Sequence, residues 1–186
     1  MSKLETMDLG VIVERRKIDH PWQEWAWKAV AVIPGARQVE AWTEIAQGDG
    51  WTQYHAVTMP VELHRRETEA YVANLETERP AVYVVMRDDD DDEEEGGHPY
   101  YVALVTLSPY DAQDYLDSGE DLVEAVPMPE PVLAWMQDFV GQHHVEEPFV
   151  KRKRDKVKIE EHKFGQESIV ELRQRMARED EDGSDG

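Results

Sequence analysis

At 186 residues, with 40% apolar content and six Trp, the chain is of single-domain size and has enough apolar mass for a real core. Having no Cys, it is excluded from disulfides, thiolate metal centres, Cys-ligated clusters and thiol nucleophiles. Residues 1–150 hold 10 Lys/Arg against 31 Asp/Glu and residues 151–186 hold 10 against 10, so the whole net charge of −21 rests on the first part, whose field repels nucleic acid and anionic lipid.

Residues 1–7 contain no apolar stretch of signal-peptide type and read as a flexible N-terminus. No run approaches the ~18 apolar residues of a membrane span, so a cytoplasmic protein without membrane contact is expected. Adaptation to salty surroundings is an alternative source of the acidity. Strand patterns then dominate. Residues 9–13 and 25–33 are apolar runs joined by a polar connection containing Pro21, the second run stops at Pro34-Gly35, and together they predict an antiparallel hairpin. Val57, Met59, Val61 and Leu63 alternate with Thr58, Pro60, Glu62 and His64, the period of a half-buried strand, and Pro60 places that strand at an edge or on a bulge. Residues 71–75, 81–86 and 100–107 are further strand candidates, and their short connections favour antiparallel pairing.

Eight consecutive acids at 88–95, closed by Gly96-Gly97, read as a solvated loop between two strands; a calcium site would need turn residues interleaved with the acids. Ser108-Pro109-Tyr110-Asp111 predicts a capped helix start and Ser118-Gly119 its stop. A strand at 121–126 leads to a second helix opened by Pro129-Glu130-Pro131. Its apolar face is Val132, Trp135, Met136, Phe139 and Val140, and Gly141 ends it. The expected fold is α+β: a mostly antiparallel sheet, barrel-like or sandwich-like, covered by two C-terminal helices over residues 8–147. A charged arm, 148–186, follows. It opens with the basic run Lys151, Arg152, Lys153, Arg154, and its capping-box pattern at Ser168 predicts a short helix at 169–179 with the narrow stripe Ile169, Leu172 and Met176.

Catalytic signatures are absent from the sequence. It contains no G-x-x-x-x-G-K-[ST], G-x-G-x-x-G or G-x-S-x-G, and Ser108 reads as a cap. His143-His144 lacks the spacing of a metal pair and is expected at a helix end facing water or an acid; His20, His55, His64 and His98 are scattered. No catalytic residue, metal ligand or cofactor is assigned. The candidate contact residues are instead Arg15, Arg16 and Trp22, an aromatic-plus-Arg composition that binding hot spots favour, together with the basic run and stripe of the arm. Trp25 and Trp27 alternate on one strand face and are expected to belong to the core. The basic run has three readings: a tether to an acidic partner, fold-back onto the domain's own acids, and nucleic-acid contact.

Four stretches carry a resemblance: Leu9-Gly10-Val11-Ile12-Val13-Glu14-Arg15-Arg16; Pro21-Trp22 through Val32-Ile33-Pro34-Gly35-Ala36; Ser108-Pro109-Tyr110-Asp111-Ala112; and Pro148-Phe149-Val150-Lys151-Arg152-Lys153-Arg154. Over about residues 8–155 the chain resembles an uncharacterised proteobacterial family of unknown function, encoded beside formate dehydrogenase genes. The resemblance implies a non-catalytic accessory or assembly factor whose protein partner is formate dehydrogenase or a maturation factor. The resemblance transfers no binding residue; the alternative reading is a molybdenum-cofactor or nucleotide handling protein, in which Arg15, Arg16 and Arg37 would hold an anionic pterin phosphate.

Overall fold

The period-two stretches of β-branched and aromatic residues become strands in the computed structural model, which describes residues 4–90 and 97–146. β1 (Leu4–Lys17) and β2 (Trp25–Pro34) form the expected antiparallel hairpin, and β3 (Thr43–Gly48) and β4 (Trp51–His64) form another. β1 also pairs with β4, which gives a four-stranded sheet ordered β2-β1-β4-β3. A 3-10 turn at Arg65–Glu67 leads into α1 (Thr68–Leu75), followed by β5 (Ala81–Asp88), β6 (Tyr100–Thr106), α2 (Pro109–Ser118), β7 (Leu122–Pro127) and α3 (Glu130–His143). β5 is the centre of a second antiparallel sheet, ordered β6-β5-β7.

The described residues are thus α+β with mostly sheet. β2 passes β7 and β4 passes β6, but no ladder joins the two sheets, so no closed barrel forms among the described residues. One core is shared by both sheets and by α3: Leu9, Val11 and Val13 from β1, Val82, Val84 and Met86 from β5, and Val132, Met136 and Phe139 from the helix. Burying each such side chain contributes about 1.5–3 kcal/mol.

Local chemistry sets the element ends. The Ser108 Oγ accepts the Asp111 N–H at 3.2 Å, Pro109 fills the first helical turn, and Gly119 at φ 71 closes α2 in the left-handed region that suits glycine. α3 opens after Pro129 but runs two residues beyond Gly141, because His143 gains burial against Phe139, with ring centroids 4.6 Å apart. That contact also corrects the expectation of a water-facing pair: His143 is buried, and the His144 Nδ1 lies 3.1 Å from the Thr68 hydroxyl. Among the described residues Pro60 has β1 on one side and no strand on the other, since β3 pairs only as far as His55; the bulge of β4 falls at Ala56.

Two further expectations are corrected, and one strand is additional. Residues 71–75 are helix, not strand: Ala70, Tyr71 and Asn74 are buried at helical spacing, and tertiary burial overrides β propensity. β1 begins at Leu4, because Leu4 to Met7 pair with Val61 to His64 and the Glu5 carboxylate accepts the Trp135 indole N–H at 2.9 Å. β3 was not anticipated; it is mostly exposed and carries no apolar alternation. Of the acidic loop, Asp88 to Asp90 are described and 91–96 lie outside the described residues. So do the arm, with Lys151, Arg152, Lys153 and Arg154, and the expected helix with Ile169, Leu172 and Met176.

Candidate functional site

Neighbouring residues on a strand face opposite sides of the sheet, so Arg15 and Lys17 share the side of Val11 and Val13, and Arg16 shares the other with Glu14. The Arg16 Nε donates to the Glu14 Oε1 at 2.8 Å and the Gln53 Nε2 to the Glu14 Oε2 at 2.9 Å. The Gln53 bond above all, then Arg16, outweighs burial and holds the Glu14 carboxyl below its ordinary value. Arg15 has no such partner. Its guanidinium lies 4.3 Å from the Trp25 ring centroid and 5.9 Å from that of Trp27, its Nε is buried, and no hydrogen bond or ion pair reaches it among the described residues.

Beyond these rungs the hairpin turns through residues 18–24, closed by the Ile18 N–H donating to the Glu24 carbonyl at 3.0 Å. At its tip Trp22 is 90% exposed, with its backbone N–H donating to the His20 Nδ1 at 3.3 Å. The structure therefore places Arg15, Arg16 and Trp22 at one end of the hairpin but does not gather them into a single patch: Arg15 stacks on Trp25 and Arg16 pairs across the sheet. The Arg37 carbonyl accepts the Thr58 hydroxyl on the Arg16 side of the sheet, the side opposite Arg15.

Behind Arg15, rings from four separate stretches close one end of the core. Trp27, Trp42 and Tyr54 surround His98, with centroids 5.8, 4.4 and 4.9 Å from the imidazole. Trp42 sits at φ 60, a region that bulky residues rarely adopt, held there by its N–H donating to the Ala56 carbonyl at 3.1 Å. Trp27 packs on the core as the alternation predicted. Trp42 and His98 were not singled out for this role: 56 positions apart, they carry no shared local pattern. On the other side of the sheet, a Cβ on Gly10 would lie 2.8 Å from both the Ala36 Cβ and the His55 Nε2, so only glycine lets the 35–38 segment cross there. His55 is 2.8 Å from the Thr58 Oγ1, and because that hydroxyl donates to the Arg37 carbonyl at 2.9 Å it must accept from the imidazole N–H.

A second polar place lies where β4 passes β6. Pro60, Glu62, His64, Glu67, Leu104, Val105, Thr106 and Asp111 line a cleft of about 290 Å³. The Tyr71 hydroxyl donates to the Glu67 Oε2 at 2.9 Å and accepts the His64 backbone N–H at 3.0 Å; burial foremost pushes this phenol up, so it remains a donor. Glu62 and His64 pair at 3.0 Å. Burial, then the charge of Glu67, raises the Asp111 carboxyl, partly offset by the Thr106 hydroxyl donating to it at 3.2 Å. Among the described residues no group of three His, Asp or Glu is placed to hold a metal ion, and no helix is long and apolar enough to cross a membrane.

Comparison with known proteins gives one finding. Residues 8–153 match a family described as "Protein of unknown function (DUF3305)", and the chain belongs to that family. No curated protein and no solved structure matches it.

Proposed function

We propose that the chain, as a member of that family, is a non-catalytic accessory protein acting by protein–protein contact at the end of the β1–β2 hairpin. The observation that carries this reading is Trp22, held at the hairpin tip with 90% of its surface in water. Trp and Arg are the residue types that dominate binding hot spots, because each offers a large contact area together with a polar handle. Here an exposed Trp adjoins a strand end bearing Arg15, Arg16 and Lys17. The partner in this proposal is formate dehydrogenase or one of its maturation factors, a choice that comes from the resemblance to a proteobacterial family encoded beside those genes. Lys151, Arg152, Lys153 and Arg154, with Ile169, Leu172 and Met176, form a second contact region in the same proposal.

The test is recovery of formate dehydrogenase subunits or their maturation factors by tagged full-length chain from formate-grown cells, beside the Trp22→Ala variant. Recovery by the native chain and its loss in the variant are expected. Equal recovery by both, or none by either, overturns the assignment of the contact to the hairpin tip.

A further inference from the structure

We infer that the hairpin end recognises an acidic segment of its partner, one that sets a carboxylate against Arg15 and an apolar side chain against Trp22; this rests on the contact reading above. Arg15, Arg16 and Lys17 are three of the nine Lys/Arg among the described residues, gathered in consecutive positions on a chain of net charge −21. Their partnering is uneven. Arg16 is bonded to Glu14 at 2.8 Å, and Lys17 reaches Glu24 only at 4.0 Å with both side chains more than 60% exposed, a separation that contributes little in water. Among the described residues Arg15 has no anion, although carboxylates outnumber cations by two to one in the sequence.

Stacking on Trp25 covers the face of the Arg15 guanidinium and its Nε is buried, so the terminal Nη donors are the ones left for a carboxylate to engage. The ring also fixes the guanidinium in one place, so less side-chain entropy is lost when an anion binds than for a flexible lysine. A purely apolar partner would bury this cation without a counter-charge, which is costly. A basic partner would add like charge. The domain's net negative charge opposes an acidic segment at long range, but beyond about 8 Å that repulsion is screened in physiological salt, whereas a pair in contact is not. The acidic class is therefore favoured by the immediate surroundings of Arg15, with Trp22 supplying the apolar half of the contact.

The probe is a fluorescein-labelled decapeptide of alternating Glu and Leu, titrated into full-length protein by fluorescence anisotropy, with an alternating Lys and Leu peptide as the charge control. The native chain is expected to bind the Glu/Leu peptide, and Arg15→Met and Trp22→Ala each to weaken it by about tenfold or more, as hot-spot truncations do. Met retains an unbranched stem against Trp25, and circular dichroism of each variant checks that the fold persists. Preference for the Lys/Leu peptide overturns the inference, as does binding indifferent to both substitutions and set instead by the basic run at 151–158. The two readings fail differently. If formate dehydrogenase recovery is lost in Trp22→Ala but neither Arg15→Met nor excess Glu/Leu peptide reduces it, the acidic class is wrong and the contact stands. If recovery is unchanged in Trp22→Ala, the contact itself is wrong, and the titration still decides whether the hairpin end prefers acids.

Discussion

The network around α1 and the end of the β1–β2 hairpin are both rich in polar side chains, and they differ in where the bonds of those side chains go. Around α1 they close within the fold. The Asn74 amide donates to the carbonyls of Ala81 and Leu107, each at 2.8 Å, and accepts the Ala81 N–H at 3.0 Å, tying the helix to the start of β5 and the end of β6. Tyr71 joins Glu67 to His64, and Thr106 joins Ser108 to Asp111. At the hairpin end, among the described residues, the Arg15 guanidinium meets rings and no anion, and the Trp22 side chain lies 90% in water. Closed networks hold a fold in one arrangement, because every broken bond leaves a desolvated partner behind. Groups left open contribute little to folding and are available to a second molecule.

The largest expected effect comes from breaking the closed network at its most buried member. Asn74→Ala removes three hydrogen bonds and strands two carbonyls and an N–H, so it should destabilise by about 3 kcal/mol or more in urea unfolding. Tyr71→Phe keeps the ring and leaves only the His64 N–H and the Glu67 carboxylate without the hydroxyl. About 1–2 kcal/mol is expected, read in the same experiment. A Tyr71→Phe loss as large as that of Asn74→Ala would mean that the cleft, and not the Asn74 clamp, organises α1.

These two residues also show where legibility in the sequence stops. The hairpin, the strand at 81–86 and the start of α2 follow from local signals: alternation, Pro34-Gly35 and the Ser108 cap with Pro109 behind it. α1 does not. Tyr71 and Val72 are ordinary strand formers, and the helix is tied in place by what Asn74 reaches, including Leu107, which is 33 positions away. β3 was illegible for the opposite reason: as an exposed edge it owes its conformation to β4 and needs no apolar period of its own. Arg15, Arg16 and Trp22 were legible as a composition. The division of the two arginines between sides of the sheet follows from their adjacency once β1 is known to continue to Lys17, but the stacking of Arg15 on Trp25 needs the register that sets Lys17 opposite Trp25.

A smaller effect is expected at Asp111, where the closed network imposes a charge cost. Burial and Glu67 raise this carboxyl, so the folded chain holds the proton more tightly than the unfolded chain does. The stability this confers is fully present below the ordinary carboxylate range and is lost as pH rises through the folded value. Asp111→Asn, which keeps an acceptor for Thr106, should therefore be more stable than the native chain at pH 7 and lose that advantage near pH 3. Water reaches the carboxylate and screens it, so the gain should be at most about 0.5 kcal/mol. Parallel urea titrations at the two pH values check it; an advantage that persists at pH 3 would assign the effect to something other than ionisation.

The smallest change in stability belongs to Trp22, and it sharpens the comparison most. Because this side chain touches so little, Trp22→Ala should alter stability by no more than about 0.5 kcal/mol. Its surroundings are nonetheless measurable in solution, since Trp22 is exposed and the other five Trp are all at least partly buried. Collisional quenching should therefore report mainly on Trp22, and the accessible fraction should fall markedly in Trp22→Ala. The sign of the quencher then reads the local field. A uniformly acidic surface favours caesium over iodide, whereas a hairpin end governed by Arg15 and Lys17 reverses that order despite the net charge of −21. Iodide quenching Trp22 more efficiently than caesium, with the difference reduced in Arg15→Met, would place an anion-attracting surface at the tip. Caesium prevailing in both proteins would leave the hairpin end as negative as the rest of the domain.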